Sequence, residues 1–119
     1  MKSEELNKKL RGFTTVLRLE FSVELPSGSC TLTLELTQSA VGKGDVLVVE
    51  FLDVAALSLR DFGGGLTQLL LLQVTDISDK QLDRRNYEMR ELERDAISFV
   101  CRDFRVLDAN VGQTDEDLL

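Results

Sequence analysis

The chain contains no histidine and no tryptophan, and it has only two cysteines and one proline among its 119 residues. Without histidine it lacks the side chain that most often serves as a general base near neutral pH and as a metal ligand. Two cysteines, Cys30 and Cys101, are too few for a structural zinc site, and neither has a histidine to activate it as a nucleophile. We therefore expect no metal and no cofactor.

Long hydrophobic runs are also absent, since no segment approaches the ~18 apolar residues that a transmembrane helix needs. Residues 1–12 are charged throughout and lack the apolar centre of a signal peptide. We expect a cytoplasmic protein, whose reducing surroundings keep Cys30 and Cys101 as thiols. Both cysteines fall at inward positions of expected strands, where a free thiol packs as a small apolar group.

Aromatic residues are few, with six phenylalanines and one tyrosine, so the interior must be built mainly from leucine and valine. A hydrophobic content of 43% beside 29% charged residues is ordinary for a folded domain. The length predicts one domain over residues 1–119, long enough to bury a core.

Basic residues are in the minority, because 14 Lys and Arg residues stand against 21 Asp and Glu residues and give a net charge of −7. This excess disfavours nucleic acids and acidic membranes as partners. Residues 108–119 hold four acids and no base, and we expect an acidic, loose tail there. An acidic surface suits a basic partner protein, and it also suits plain solubility.

The clearest organising pattern lies in residues 86–107, where apolar and polar residues alternate with a period of two. The alternation stops at 93–95, which predicts a polar turn between two strands. After Arg102 the apolar phase shifts by one residue, to Phe104 and Val106. An extra residue in the register is typical of a β-bulge that redirects a strand at a sheet corner.

A second hairpin is expected over residues 13–37, where two alternating stretches flank the turn signal around Pro26. The pattern predicts one aliphatic face, which we expect to be buried, and one polar face. Residues 1–12 should begin with a short helix, since Leu6 and Leu10 share one side and Gly12 would end it.

The middle of the chain is more apolar. Residues 46–52, interrupted only by Glu50, predict a strand buried on both faces or covered by the N-terminal helix. Residues 57–59 suggest a short strand, and the glycines at 63–65 a hairpin tip. Residues 66–74 contain four consecutive leucines, and their length favours a central strand covered on both faces.

Three stretches resemble ligand motifs only superficially. Residues 42–44 pair glycine with lysine but lack the earlier glycine and the following hydroxyl of a phosphate-binding loop, so a hairpin turn is favoured. The glycines at 63–65 have no strand-to-helix context for binding a dinucleotide. Asp76, Asp79 and Asp83 would share a helical face, but the central glycine and final glutamate of a calcium loop are absent, which favours a solvated turn.

Two acids have unusual settings, Glu50 in an apolar strand and Asp103 at the expected bulge. Such acids more often pair with an arginine or a backbone N–H than act in catalysis, and no spacing selects a carboxylate pair. We therefore favour binding over an enzymatic function. The outward face of the 86–107 ribbon is a candidate platform, with mixed charges on Glu88, Arg90, Ser98, Val100 and Arg102.

Residues 73–104 also resemble a known kind of protein. Their strand–turn–strand pattern, with Tyr87, Met89 and Glu93 in the first half and residues 97–104 in the second, is similar to small β-rich bacterial immunity proteins. The resemblance implies a protein that neutralises a secreted toxin by direct binding, often a basic toxin domain met by an acidic surface. It assigns no contact residue in this chain.

Together these patterns predict a mainly β fold, α+β at the margin: an antiparallel β-sandwich or partly open barrel of seven to eight strands with a short N-terminal helix. The expected function is a non-enzymatic protein-binding domain, most concretely a cytoplasmic immunity-type inhibitor that blocks a toxin. The alternative is a structural or assembly subunit of a bacterial homo-oligomer.

Overall fold

The computed structural model describes residues 2–38, 45–80 and 85–108. Within these ranges the chain forms one α-helix, one turn of 3-10 helix and eight strands. The elements are α1 (Lys2–Leu10), β1 (Thr15–Glu24), β2 (Ser29–Thr37), β3 (Val46–Leu52), β4 (Ala55–Leu59), β5 (Leu72–Asp76), the 3-10 turn (Ser78–Lys80), β6 (Tyr87–Glu91), β7 (Ile97–Cys101) and β8 (Asp103–Asp108). The expected turn at residues 42–44, Asp83 and the tail beyond Asp108 lie outside the described residues.

The strands form two antiparallel four-stranded sheets. Sheet A has the order β1-β2-β3-β8, and sheet B has the order β4-β7-β6-β5. Across the described residues the two sheets do not close into a barrel, so the predicted mainly β fold is confirmed as a sandwich with an N-terminal helix.

The core lies between the two sheets and is mostly aliphatic, as the shortage of aromatics predicts. Phe51 of sheet A and Phe99 of sheet B meet edge to face across it, with ring centroids 4.9 Å apart. Leucines and valines from both sheets fill the space around these rings. Fully or almost fully buried side chains include Leu32, Leu34, Leu36, Leu47, Val49, Leu72, Val74, Met89 and Ile97.

The first hairpin forms where the sequence predicts it. β1 and β2 pair from Thr15↔Thr37 to Glu24↔Ser29, and β3 adds to the other side of β2. β3 is central in sheet A, and its Leu47, Val49 and Phe51 face the core while the opposite side is partly covered.

The inner face of this hairpin is buried only in part, which corrects the expectation of a fully buried aliphatic face. On β1, Leu19 is half-buried, but Phe21 and Val23 are exposed. β1 lies at the edge of sheet A, and its hairpin projects beyond β3, whose pairing with β2 ends at Thr31. No facing strand is therefore available to cover the end of β1 among the described residues.

The predicted alternation in residues 86–107 is confirmed, and the phase shift after Arg102 marks the point where the chain passes from one sheet to the other. β6 and β7 pair in sheet B, and the chain then crosses to sheet A, where β8 pairs with β3. The crossing occurs at Arg102, whose backbone N–H donates to the Leu52 carbonyl oxygen at 2.9 Å. Because of the shifted apolar phase, Phe104 on β8 enters the core from sheet A.

The prediction of a central strand over residues 66–74 is wrong. Only Leu72–Asp76 forms a strand, and it lies at the edge of sheet B. Leu69 is buried, but Leu66, Leu70 and Leu71 are exposed. Runs of leucine carry no clear period, so apolar character alone could not separate a strand from a crossing loop.

The expected hairpin tip at 63–65 is also wrong, because β4 and β5 lie at opposite edges of sheet B and do not pair. The three glycines have positive φ angles and belong to a long connection across the end of the sandwich. That connection touches sheet A, since Thr15 forms an isolated bridge with Gln68.

The helix α1 docks on the outer edge of β5. Leu6 and Leu10 enter the core, as their spacing predicts. Between them, the Asn7 side-chain amide donates to the Val74 carbonyl oxygen at 2.9 Å, and its oxygen accepts from the Val74 N–H at 2.7 Å. Asn7 thus satisfies the backbone of an edge strand as a neighbouring strand would.

Replacing Asn7 with alanine should destabilise the fold, because both Val74 groups lose their partner in a partly buried position. We expect a loss of about 1–3 kcal/mol in the free energy of unfolding. Urea denaturation would measure it. Lys8→Ala is the matched control, since Lys8 is an exposed neighbour on the same helix, and an equal effect of both substitutions would contradict the role of Asn7.

Candidate partner-binding surfaces

The two acids with unusual settings are both paired. Arg105 on β8 donates through Nε to the Glu50 carboxylate at 2.5 Å. Asp103 accepts from the Lys2 ammonium and, at 2.8 Å, from the Phe104 N–H. Burial alone would raise the pKa of Asp103, but the hydrogen bonds from Lys2 and Phe104 hold that pKa below its ordinary value. The predicted pairing of these acids is confirmed.

The outer face of sheet A carries an excess of acids. Its residues are those that alternate with the core-facing leucines, and the pairing register aligns them in rows such as Glu20–Thr33–Glu50–Arg105. We call this surface the acidic face; it comprises Arg18, Glu20, Ser22 and Glu24 of β1, Thr31, Thr33 and Glu35 of β2, Val48, Glu50 and Leu52 of β3, and Asp103 and Arg105 of β8.

The arginines of the acidic face hold its carboxylates in place. Arg18 reaches Glu20 at 2.5 Å and, across to the next strand, Glu35 at 3.0 Å. These pairs are exposed and add little stability. They do restrict where the carboxylate oxygens lie, so the face presents ordered acceptors rather than freely rotating side chains.

The outer face of sheet B differs in its charge. Glu88 and Val100 are cross-strand neighbours, as are Arg90 and Ser98, so four of the five residues predicted for the ribbon's outward face do lie together. Arg90 is 3.7 Å from Glu88 and 3.9 Å from Asp95. One arginine thus lies against two acids, so the excess of acid here is smaller than on the acidic face.

The fifth predicted residue, Arg102, does not belong to that face. It lies at the corner between the sheets and lines a polar cleft with Ser27, Gly28, Ser29, Asp53 and Arg85. Arg85 and Asp53 are 3.7 Å apart across this cleft. The described lining of this cleft holds two arginines and one aspartate, in contrast to the acidic face.

A buried acid that the sequence reading missed is Glu91, at the end of β6. Its side chain is 1% exposed and accepts hydrogen bonds from the backbone N–H groups of Glu93, Arg94 and Ala96 at 3.1, 2.8 and 3.2 Å. Burial alone would raise the pKa of Glu91, but these hydrogen bonds outweigh it and lower the pKa. Glu91 therefore organises the β6–β7 turn, and its position beside that turn was the available signal.

The described residues contain no group of three cysteine, aspartate or glutamate side chains arranged to hold a metal ion. The one α-helix described, nine residues long, is too short and too polar to cross a membrane. The two cysteines are both free thiols, with Cys101 buried and Cys30 half-buried.

A comparison with protein families gives a match along the whole sandwich. The family model described as Immunity protein PIM8 matches residues 2–107, from the start of α1 to the last residue but one of β8. The chain belongs to this immunity protein family. No curated protein and no solved structure matches it.

Membership confirms the resemblance drawn from residues 73–104 and extends it to the rest of the domain. The match covers both sheets, so the surfaces described above all belong to the family's domain. An immunity-type role implies a partner protein, and the acidic face, the sheet B face and the polar cleft are three surfaces that it could meet.

The Glu91 network predicts an acid-sensitive contribution to stability. Because the folded pKa is lowered, the contribution is complete above the unfolded value of about 4.3 and is lost as the pH falls through the folded pKa. Glu91→Gln should cost about 1–3 kcal/mol at pH 7, with the difference from the parent chain shrinking below about pH 4. Urea unfolding at several pH values would measure this. Glu93→Gln, an exposed change in the same turn, should have little effect, and a pH-independent cost of Glu91→Gln would contradict the account.

The two thiols should differ in reactivity. Burial raises the pKa of the Cys101 thiol to about 12, and the side chain has no exposed surface. A thiol reagent added to the folded protein should therefore modify Cys30 alone, and urea should release the second thiol. Mass spectrometry of the modified peptides would show this; fast labelling of Cys101 in the native protein would contradict the buried placement.

Proposed function

We propose that this immunity protein neutralises a toxin domain by binding it directly, without catalysis, through the acidic face of sheet A. The family match supports an immunity role. Blocking a toxin's site needs only a rigid surface of suitable charge, and the sandwich core holds the outer face of each sheet rigid. The free thiols of Cys30 and Cys101 are consistent with action in the cytoplasm.

Charge is the observation that selects the acidic face. It carries five acids against two arginines, and Lys2 at its margin offsets only Asp103. The outer face of sheet B has one arginine against two acids, and the described lining of the polar cleft holds more arginine than acid. For a chain with a net charge of −7, the acidic face is the described surface best suited to a basic partner.

The mechanism has two parts. The acidic field steers a basic toxin domain toward sheet A, which speeds association and weakens with added salt. On contact, the carboxylates of Glu20, Glu35 and Glu50 stand in for the anionic groups of the toxin's substrate and accept hydrogen bonds from its basic side chains. The hydroxyl of Thr33 lies between Glu20 and Glu50, and that of Thr31 lies in the next row along β2, between Ser22 and Leu52; both offer neutral hydrogen bonds.

The alternative function, a structural or assembly subunit, is favoured by a different observation, the unpaired edge of β1. The two functions are compatible because the edge of β1 could pair with another strand while the carboxylates of Glu35 and Glu50, on β2 and β3, stay exposed to a toxin.

Neutralising the acidic face should weaken toxin binding. In the triple variant Glu20→Gln, Glu35→Gln and Glu50→Gln, the side chains keep their shape and lose their charge. With the cognate toxin domain, we expect the association rate at low salt to fall by about tenfold or more. Stopped-flow or surface plasmon resonance measurements would give the rate.

A second triple variant controls for net charge. Asp61→Asn, Asp79→Asn and Glu93→Gln remove the same number of charges from exposed positions off the acidic face. This variant should associate at close to the parent rate. Equal losses in both variants would show that net charge alone matters, and unchanged binding of the first would contradict the proposed surface.

A further inference from the structure

Among the residues that the structure describes, none pairs with the outer edge of β1 along most of its length. At its start the edge is covered, since the Val16 N–H donates to the Thr67 carbonyl oxygen at 2.9 Å and the Leu69 N–H donates to that of Thr14 at 2.7 Å. From Leu19 to Glu24, no described residue pairs with this edge. A row of unpaired backbone donors and acceptors there is a template for another strand.

Other features distinguish this edge from that of β5. The edge of β5 is covered by α1 and satisfied by Asn7. β1 contains no proline and no lysine, the residues that most often protect an exposed edge from pairing.

Apolar side chains accompany the open backbone. On the core-side face of β1, Phe21 is 43% exposed and Val23 is 52% exposed, and Leu25 just beyond the strand is 81% exposed. Large apolar side chains aligned along an open edge mark an interaction site rather than scattered surface residues.

We propose that residues 18–24 of β1 pair antiparallel with the same segment of a second copy, about a twofold axis at Phe21. When two strands pair in one continuous sheet, residues directly opposite each other lie on the same face of that sheet. Core-side residues of one copy must therefore oppose core-side residues of the other. A twofold axis must therefore pass through a residue of β1, and only a few registers are possible.

Charge selects among these registers. With the axis at Phe21, Arg18 of each copy lies opposite Glu24 of the other, which forms two symmetric ion pairs, and Glu20 lies opposite Ser22. An axis at Glu20 would set two glutamates directly opposite each other. An axis at Ser22 would set Glu20 opposite Glu24. An axis at Leu19 would also set Arg18 opposite Glu20, but it would carry the pairing into the start of the edge, which Thr67 and Leu69 already cover. The register at Phe21 is therefore the one that pairs the charges and lies within the open part of the edge.

The same register covers the apolar row. Phe21 meets Phe21 of the second copy, and Leu19 meets Val23. Leu17 and Leu25, both exposed, fall opposite each other just outside the paired segment. The bulge between Val16 and Arg18 ends the regular pairing at one side, and the hairpin turn ends it at the other.

The dimer would fuse two copies of sheet A into one sheet of eight strands, with both acidic faces on the same side. The pairing needs no toxin. It uses the β1 edge, the core-side row and the Arg18 and Glu24 side chains at the margin of the acidic face, and it leaves Glu35 and Glu50 of β2 and β3 uncovered. The two proposals can therefore fail separately.

Sedimentation equilibrium of the full chain over a wide concentration range tests the proposal. We expect a reversible transition from the 13.3 kDa monomer to a species of twice that mass. Phe21→Lys places two lysines opposite each other at the axis and should raise the dimer dissociation constant by about a hundredfold. Glu24→Lys places a lysine opposite Arg18 of the other copy and should raise that constant by about tenfold. Circular dichroism would show that both variants fold.

Glu93→Lys is the matched control, since it makes the same charge change as Glu24→Lys at an exposed site in sheet B; it should leave the dimer intact. A chain that stays monomeric at all concentrations would overturn the proposal. A dimer that withstands both Phe21→Lys and Glu24→Lys would also overturn it, because the contact would then use another surface.

Discussion

The burial of one leucine-rich face from each sheet against the other is the constraint on which the rest of the structure depends. Leu32, Leu34 and Leu36 of β2 are fully buried, and a slip of one residue would turn all three to solvent. Because the period of a strand is two, fixing these inner positions also fixes every outer one. The rows of carboxylates and threonines on sheet A are therefore held in place by the core behind them, without needing strong bonds among themselves.

Much of this architecture could be predicted because several strands alternate clearly. β1, β2, β6 and β7 each have a regular apolar period, and the phase shift after Arg102 correctly marked a corner, where the chain crosses between sheets. The wrong strand predictions concern segments in which apolar and polar residues do not alternate. The leucine run at 66–74 has no alternation, so its division into an exposed connection and an edge strand depends on contacts with Thr15 and α1 that are distant in sequence.

The candidate surfaces were less predictable for a related reason. A single strand shows which residues face outward but not which strand is its neighbour. Glu20, Glu35 and Glu50 form one surface only because β1, β2 and β3 pair in one register, and Arg102 left the predicted face because the chain turns there. The incomplete burial of Phe21 and Val23 likewise depends on the edge position of β1, and Val23 also lies beyond the end of β3. Strand order, and not residue type, creates both the acidic face and the open edge.

The central claim is that the acidic face of sheet A meets the toxin, and carboxylate footprinting of the complex tests it most directly. A carbodiimide with an amine nucleophile labels exposed acids, and mass spectrometry compares the free protein with its complex with the toxin domain. The account predicts that labelling of Glu20 and Glu24 falls on binding while Glu88 and Glu93 stay reactive. Protection of Glu88 and Glu93 with undiminished labelling of Glu20 and Glu24 would contradict it.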